Sequence, residues 1–214
     1  MSLLLYSGSG SPFAWRVELA LGHKGVAYTR QLLSFSARET QTPEFAKLNP
    51  RRKVPVLVDD DFVLFESAAI VEYLDERFNA APPLFPGDTR ERALIRRMVR
   101  EIDGEFRDPE HILSHQFFFT PPERRDRTLI ESARNSMLAE LRYFDELARG
   151  DFLIGPLSAA DFTLYPFIAL FARYELREPN LGLSAALTPR LRAWMTRIES
   201  LPYFDATYPP HWRT

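Results

Sequence analysis

Short apolar runs broken by capping and turn residues occupy the first eighty positions, whereas the rest of the chain repeats its apolar residues at helical spacing. Leu3–Tyr6 is apolar and stops at Ser7-Gly-Ser-Gly10, the pattern of a buried strand running into a loop. Ser11 then sets a side-chain oxygen ahead of Pro12, a residue suited to the first helical position. Phe13, Val17, Ala20 and Leu21 recur on one face, which predicts a helix ending near Gly22 or Gly25. Val26–Leu33 alternates weakly and predicts a strand. Thr42-Pro43-Glu44 predicts a short helix to about Leu48. Val54–Val58 and Phe62–Phe65 read as strands joined by the turn Asp59-Asp60-Asp61. Ser67 then caps a helix with Ile70, Val71, Leu74 and Phe78 on one face. The order β-α-β-α-β-β-α contains a hairpin, so its sheet must be mixed.

A proline-rich connector, Pro82-Pro-Leu-Phe-Pro-Gly87, closes this unit. Thr89–Phe106 carries Leu94, Ile95, Met98, Val99 and Ile102 and predicts a helix that Pro109 kinks or restarts. Thr120-Pro121 predicts the start of a long helix to Leu147. Ser158-Ala-Ala-Asp161 resembles a capping box with Asp in the acidic position and leads an apolar helix to about Tyr174. Thr188-Pro189 opens a last helix ending near Leu201. The expected division is an α+β domain over residues 1–80, a linker over 81–88 and an all-α domain over 89–214.

Composition narrows the chemistry. Lys+Arg 27 against Asp+Glu 29 give a formal net charge of -2, no field to hold a phosphate backbone or anionic lipid, so neither nucleic acid nor membrane is an expected partner. Cysteine is absent, which excludes disulfides, zinc–thiolate sites and attack by a protein thiolate; thiol chemistry must come from a ligand. The longest charge-free apolar run, Phe162–Ala172, is about half of the ~20 residues a membrane span needs. Met1-Ser-Leu-Leu-Leu-Tyr6 lacks the basic start of a secretory signal, and a cytoplasmic protein is expected. His111 and His115 stand four apart, a spacing that suits two metal ligands on one helix face. No Glu follows His111 in an H-E-x-x-H arrangement, and no metal is expected. With Phe106, Phe117, Phe118 and Phe119 nearby, this segment reads either as part of an apolar substrate pocket or as helix packing.

The segment Ser11-Pro-Phe-Ala-Trp-Arg16-Val, followed in order by Asn49-Pro50, Lys53-Val54-Pro55 and Glu66-Ser67, resembles the cytosolic glutathione S-transferases. The serine-type segment is closest to tau-class patterns, and the resemblance spans essentially the whole chain. It implies a thioredoxin-like N-terminal domain with a mixed four-stranded sheet, an all-α C-terminal domain contributing a second-substrate pocket, and a homodimer. It also implies an enzyme that adds glutathione to a small apolar electrophile. Tau-like proteins often carry a further lysine in the second-helix loop, where this chain has Gln41.

The resemblance assigns Ser11 as the group that stabilises the thiolate, with Phe13, Lys53, Val54, Pro55, Glu66 and Ser67 binding glutathione. The chemistry suits these residue types. A free thiol has a pKa of about 8.5, so only a few per cent is nucleophilic at neutral pH. A hydroxyl at a helix N-terminus favours the anion through a hydrogen bond and through the positive dipole end. In the resemblance Glu66 meets the γ-glutamyl ammonium, Ser67 meets its α-carboxylate at a helix start, and Lys53 meets the glycyl carboxylate. Val54 exposes its backbone to the cysteinyl unit beside a cis-proline. Plainer readings stand beside each: Ser11 and Ser67 as N-caps, Lys53 as a solvated lysine, Val54-Pro55 as a trans turn. Tyr6 is either a packed aromatic or a rival hydroxyl. A binding or regulatory protein of the same family without turnover is the alternative function. A zeta-type isomerase lacks support, because the serine–cysteine-rich segment associated with that class is missing.

Overall fold

A computed structural model of the chain describes residues 3–148 and 150–213. Among these residues the first unit holds strands β1 (Leu3–Ser7), β2 (Thr29–Leu32), β3 (Val56–Asp59) and β4 (Phe62–Phe65). Its helices are α1 (Pro12–Lys24), α2 (Pro43–Leu48) and α3 (Ser67–Arg77). The sheet order is β2-β1-β3-β4; β1 runs parallel to β2 and antiparallel to β3, and β3 runs antiparallel to β4. The mixed four-stranded sheet and the β-α-β-α-β-β-α order are therefore present as expected.

Local chemistry explains most boundaries. Asp59 pairs with Phe62, so the hairpin turns on Asp60 and Asp61, and Asp60 sits at φ 53, a left-handed conformation that Asp tolerates better than most residues. Helix α1 ends on Gly25 at φ 64, whose N–H bonds to Gly22 while the Val26 N–H reaches Leu21 (3.2 Å). This paired C-terminal cap occupies Val26, so β2 begins at Thr29 rather than at the expected Val26. Ser67 is already helical; the N-cap position is taken by Glu66.

Buried charges tie α3 to its neighbours. Lys24 at the end of α1 places Nζ 2.7 Å from Asp75 Oδ1 and 3.3 Å from the Phe78 carbonyl, and Asp75 also accepts from the Leu84 N–H (2.7 Å). The Lys24 side chain is fully buried, so the pair satisfies a cation that could not otherwise lie in the core. Asp59 on β3 accepts from the Tyr73 hydroxyl (2.6 Å) and approaches Arg77 (3.4 Å).

By its contacts the chain divides into Met1–Pro86 with Leu201–Thr214, and Gly87–Ser200. Residues 201–214, which the sequence pattern grouped with the helical domain, thus belong with the first unit. Helix α8 (Phe204–Thr207) packs on α1, and Trp15 is the reason. Its indole N–H donates to Thr207 Oγ1 (3.0 Å), and its ring meets Phe204, Tyr208 and Trp212 with centroids 6.0, 5.7 and 5.4 Å away. His23 adds a bond to the Tyr203 hydroxyl at 2.9 Å.

Within the second unit, α4 (Thr89–Ser114) opens on a capping box between Asp88 and Glu91. It runs through Pro109 instead of restarting there, because Phe106, Pro109 and Leu113 continue one buried face across the lost hydrogen bond. A π-helical turn, His115–Phe119, follows. Helix α5 (Arg127–Leu147) starts later than the expected Thr120-Pro121: Pro122–Arg124 forms a 3-10 turn, and Asp126 is the cap, accepting from the Thr128 and Leu129 N–H groups. Helix α6 (Ala159–Glu175) is buried almost all round and packs with α4; α7 spans Pro189–Glu199. Among the described residues no helix is long and apolar enough to cross a membrane.

The start of α6 is the best-connected polar point of this unit. Asp161, wholly buried, accepts from the Leu153 and Ser158 N–H groups (2.9 Å each), from Ser158 Oγ (3.1 Å) and from the Trp194 indole N–H (2.8 Å). Burial pushes its carboxyl pKa up, and these four donors pull it back. Phe106 lies in the core against Phe144 and Phe167, so it packs helices rather than lining an open pocket. Phe117 is buried against Tyr174, whereas Phe118 and Phe119 are exposed.

Candidate active site

Tyr6, Val56 and Phe65 stand in one row across β1, β3 and β4. Each lies at or next to the end of its strand: Ser7 closes β1 after Tyr6 and leads to Ser11, Pro55 precedes Val56, and Glu66 follows Phe65. Register alone therefore gathers Ser11, Val54-Pro55 and Glu66-Ser67 at one end of the sheet. Ser7 also pairs with Leu32, so the loop leading to α2 starts at the same end.

Ser11 is the N-cap of α1, and its Oγ accepts from the Ala14 N–H at 3.4 Å. That bond is long, and the hydroxyl retains its proton to donate. Phe13, half-buried in the first turn, carries the Arg16 guanidinium 5.3 Å from its ring centroid. No acidic residue lies in the first turn of α1 or of α3, so neither helix offsets its positive end there. The Val54-Pro55 peptide bond is cis, which decides between the two isomers open to the sequence.

Glu66 is exposed at φ 72 and ψ 103, and its side chain makes no capping bond to α3. A non-glycine residue held at positive φ beside a helix start is the kind of feature that collects at ligand sites. Its carboxylate stands outside the helix while the N–H groups of the first turn of α3 face away from the helix body. An ammonium and a carboxylate on one ligand carbon are the complement of that arrangement. Ser67 is buried at the first helical position. Lys53 has an exposed side chain, and its carbonyl accepts from Asn49 Nδ2 (2.7 Å).

Asn49 is a residue whose work the sequence did not disclose. It is buried, and its Oδ1 accepts from the Arg51 N–H (2.9 Å), so one side chain folds the turn 49–53 that delivers the chain to Pro55. An Asn-Pro pair signals a turn, but not which backbone the amide will hold. Glu18 is the other surprise. It is buried under the same sheet end, taking the Ser7 hydroxyl at 2.5 Å and Arg30 at 2.7 Å; burial pushes its pKa up against both partners. Burial of Tyr28, with the field of Glu18 behind it, pushes that phenol up to about 12. Tyr6 packs edge-on against Phe45 with centroids 5.9 Å apart.

His111 and His115 are both exposed, and His115 Nδ1 lies 3.2 Å from Thr120 Oγ1. Among the described residues no three His, Asp or Glu side chains come together as a metal cluster.

The sheet order, the cis-proline ahead of β3 and the helical second unit define a thioredoxin-like domain joined to an all-α domain. The chain belongs to the glutathione S-transferase family: the model for its N-terminal domain matches residues 1–76, and that for its C-terminal domain matches residues 106–202. Glutathione S-transferase A of Pleuronectes platessa is 28% identical over 216 residues, 98% of this chain and 92% of the relative. Glutathione S-transferase 1 of Dianthus caryophyllus is 48% identical over 90 residues, 42% of this chain and 40% of the relative. A solved glutathione S-transferase from the Antarctic clam Laternula elliptica superposes with a TM-score of 0.82 at 29% identity, covering 100% of this chain and 94% of that one.

Proposed function

We propose that this chain is a glutathione transferase that holds glutathione at the sheet end described above and activates it as a thiolate for addition to a small apolar electrophile. The observation that carries the reading is the convergence, by strand register, of two helix N-termini, whose first turns carry no acid, with the cis-proline and with Glu66 at positive φ. Glutathione presents the matching groups in sequence. Glu66 takes the γ-glutamyl ammonium and Ser67 the adjoining α-carboxylate. Val54 pairs its backbone with the cysteinyl unit beside Pro55, Lys53 faces the glycyl carboxylate, and the thiol lies between Phe13 and Ser11. Ser11 holds the sulfur anion with a hydrogen bond from its hydroxyl, the thiol proton having gone to solvent; the sulfur lone pair then bonds to the electrophilic carbon, whose displaced π electron pair takes up a proton from solvent.

Glu66→Ala weakens glutathione binding by roughly 1.5–3 kcal/mol, the range for hydrogen bonds to charged groups. Calorimetry checks this, and an unchanged affinity removes Glu66 from the site. A steady-state assay with glutathione and a generic electrophile separates the enzyme from a family member that binds without turnover.

The working form is a homodimer in this reading. Arg90, Arg92, Arg96, Arg97 and Arg100 make one side of α4 basic, and family dimers pair this helix with α3 of a second copy about a two-fold axis. On α3, Asp75 is taken by Lys24 within its own chain, and Glu76 remains exposed to serve as an acidic counterpart. Sedimentation at micromolar concentration is expected to give twice the 24.8 kDa of one chain; the single-chain mass rejects the dimer. Balanced charge, the absence of cysteine and the lack of a membrane-crossing helix among the described residues support a cytoplasmic setting.

A further inference from the structure

The turn that carries Ser11 is held from outside by the end of the chain. Gly8, Ser9 and Gly10 connect β1 to Ser11, and the 3-10 turn Pro210–Trp212 lies directly against them. Ser9 Oγ is 2.6 Å from His211 Nδ1, a short side-chain bond spanning nearly the whole sequence. Gly10, at φ 81, is tightly covered: a Cβ there would lie 3.0 Å from Trp212 Nε1 and 3.1 Å from His211 Cε1, close enough that these side chains would have to give way. The gap left between Gly8–Gly10 and Pro209–Pro210 is about 10 Å³, space for a single water. Trp212 is fixed in turn by its edge-on contacts with Trp15 and Tyr208. Two glycines in such a short connection leave it conformationally loose on its own; the strap supplies the restraint that the local sequence lacks.

We infer that His211 is a positioning residue for the transferase reaction: its bond to Ser9 fixes the Gly8–Ser11 turn and so aims the Ser11 hydroxyl and the N-terminus of α1 at the bound sulfur. This rests on the proposed role of Ser11. His211 is exposed and touches no reacting atom in this account; it acts through the turn. Group positions matter steeply in such sites, because a hydrogen bond aimed off the developing charge loses most of its value.

The test compares His211→Ala, Ser9→Ala, the double variant and His211→Asn, whose amide keeps a hydrogen-bonding atom near the position of Nδ1. Ser11→Ala runs as a control. The readouts are the pH midpoint of the ultraviolet thiolate band of bound glutathione, and kcat and KM measured separately. His211→Ala and Ser9→Ala are each expected to move the midpoint upward and lower kcat by about two- to tenfold, the span of one lost hydrogen bond, with KM for glutathione within about twofold. The double variant is expected to be no worse than either single change, as two ends of one bond require, and His211→Asn to recover the wild-type midpoint. An unmoved midpoint in both single variants, additive losses in the double variant, or no recovery in His211→Asn overturns the inference. A midpoint that moves in His211→Ala and not in Ser11→Ala leaves the strap's role standing and refutes Ser11. The opposite pair of results refutes the strap alone.

Discussion

Ser11→Ala is expected to strip the bound glutathione of most of its thiolate while leaving its affinity within a few-fold. The affinity rests on Glu66, Ser67, Lys53 and the backbone of Val54, none of which the change touches. The ionisation rests on Ser11. A thiol lowered from about 8.5 to about 6.5 is roughly three-quarters ionised at pH 7, against about 3% when unassisted, and the two-unit difference is worth about 2.7 kcal/mol. Loss of the hydroxyl returns the sulfur toward the second figure, so the thiolate band at pH 7 shrinks about 25-fold and the rising limb of the pH–rate profile moves up by about 2 units. Turnover at pH 7 falls by less, several-fold rather than 25-fold, because the more basic thiolate that does form is the better nucleophile. Tyr6→Phe should change little, since Tyr6 packs against Phe45 at a strand end. If Tyr6→Phe abolishes the band and Ser11→Ala keeps it, the catalytic hydroxyl belongs to Tyr6.

Asp161→Ala is expected to be the most damaging single change to stability. It removes the acceptor of four donors at once, leaving the Trp194 indole and the backbone N–H groups of Leu153 and Ser158 buried without a replacement. Each stranded donor costs about 1–3 kcal/mol, and breaking a buried charged constellation about 3–5, so a loss of about 3–5 kcal/mol is expected. For a chain of this size that lowers the melting midpoint by roughly 6–20 °C. Asp161→Asn recovers only part of this, because its amide group turns a donor toward donors already present. Urea denaturation followed by circular dichroism measures the loss; a change below about 1 kcal/mol shows that water replaces the carboxylate and the box is dispensable.

The elements that were legible before the structure are those whose signals are local. The Ser11-Pro12 start of α1, Thr42-Pro43 before α2, the Asp-rich hairpin and the Ser158–Asp161 box each lie within a few residues of the bond they make, so pattern and structure coincide there. The errors fall where two local signals compete or where the decisive contact is remote. Thr120-Pro121 reads as a cap and proline, but Pro122 holds Pro121 extended and Asp126 offers a better cap six residues later. Val26 fits a strand by alternation yet is consumed by the glycine cap of α1. The bond from Lys24 to Asp75 crosses 51 positions of the chain, and no local signal marks it.

By itself, then, the sequence determined which residue types are available for chemistry and which short segments begin helices and strands. It carries no protein thiol, it has a hydroxyl at the head of α1, and it has an acid and a serine at the head of α3. Hydrogen-bond caps, periodicity and composition are properties of neighbours along the chain, so they survive without a fold. Tertiary structure alone decided that Tyr6, Val56 and Phe65 share a row and that Val54-Pro55 is cis. It also decided that the last residues return to brace the turn bearing Ser11. Each of these joins residues distant along the chain or selects between conformers of nearly equal local energy, and such choices are made by packing and pairing that no short window of sequence contains.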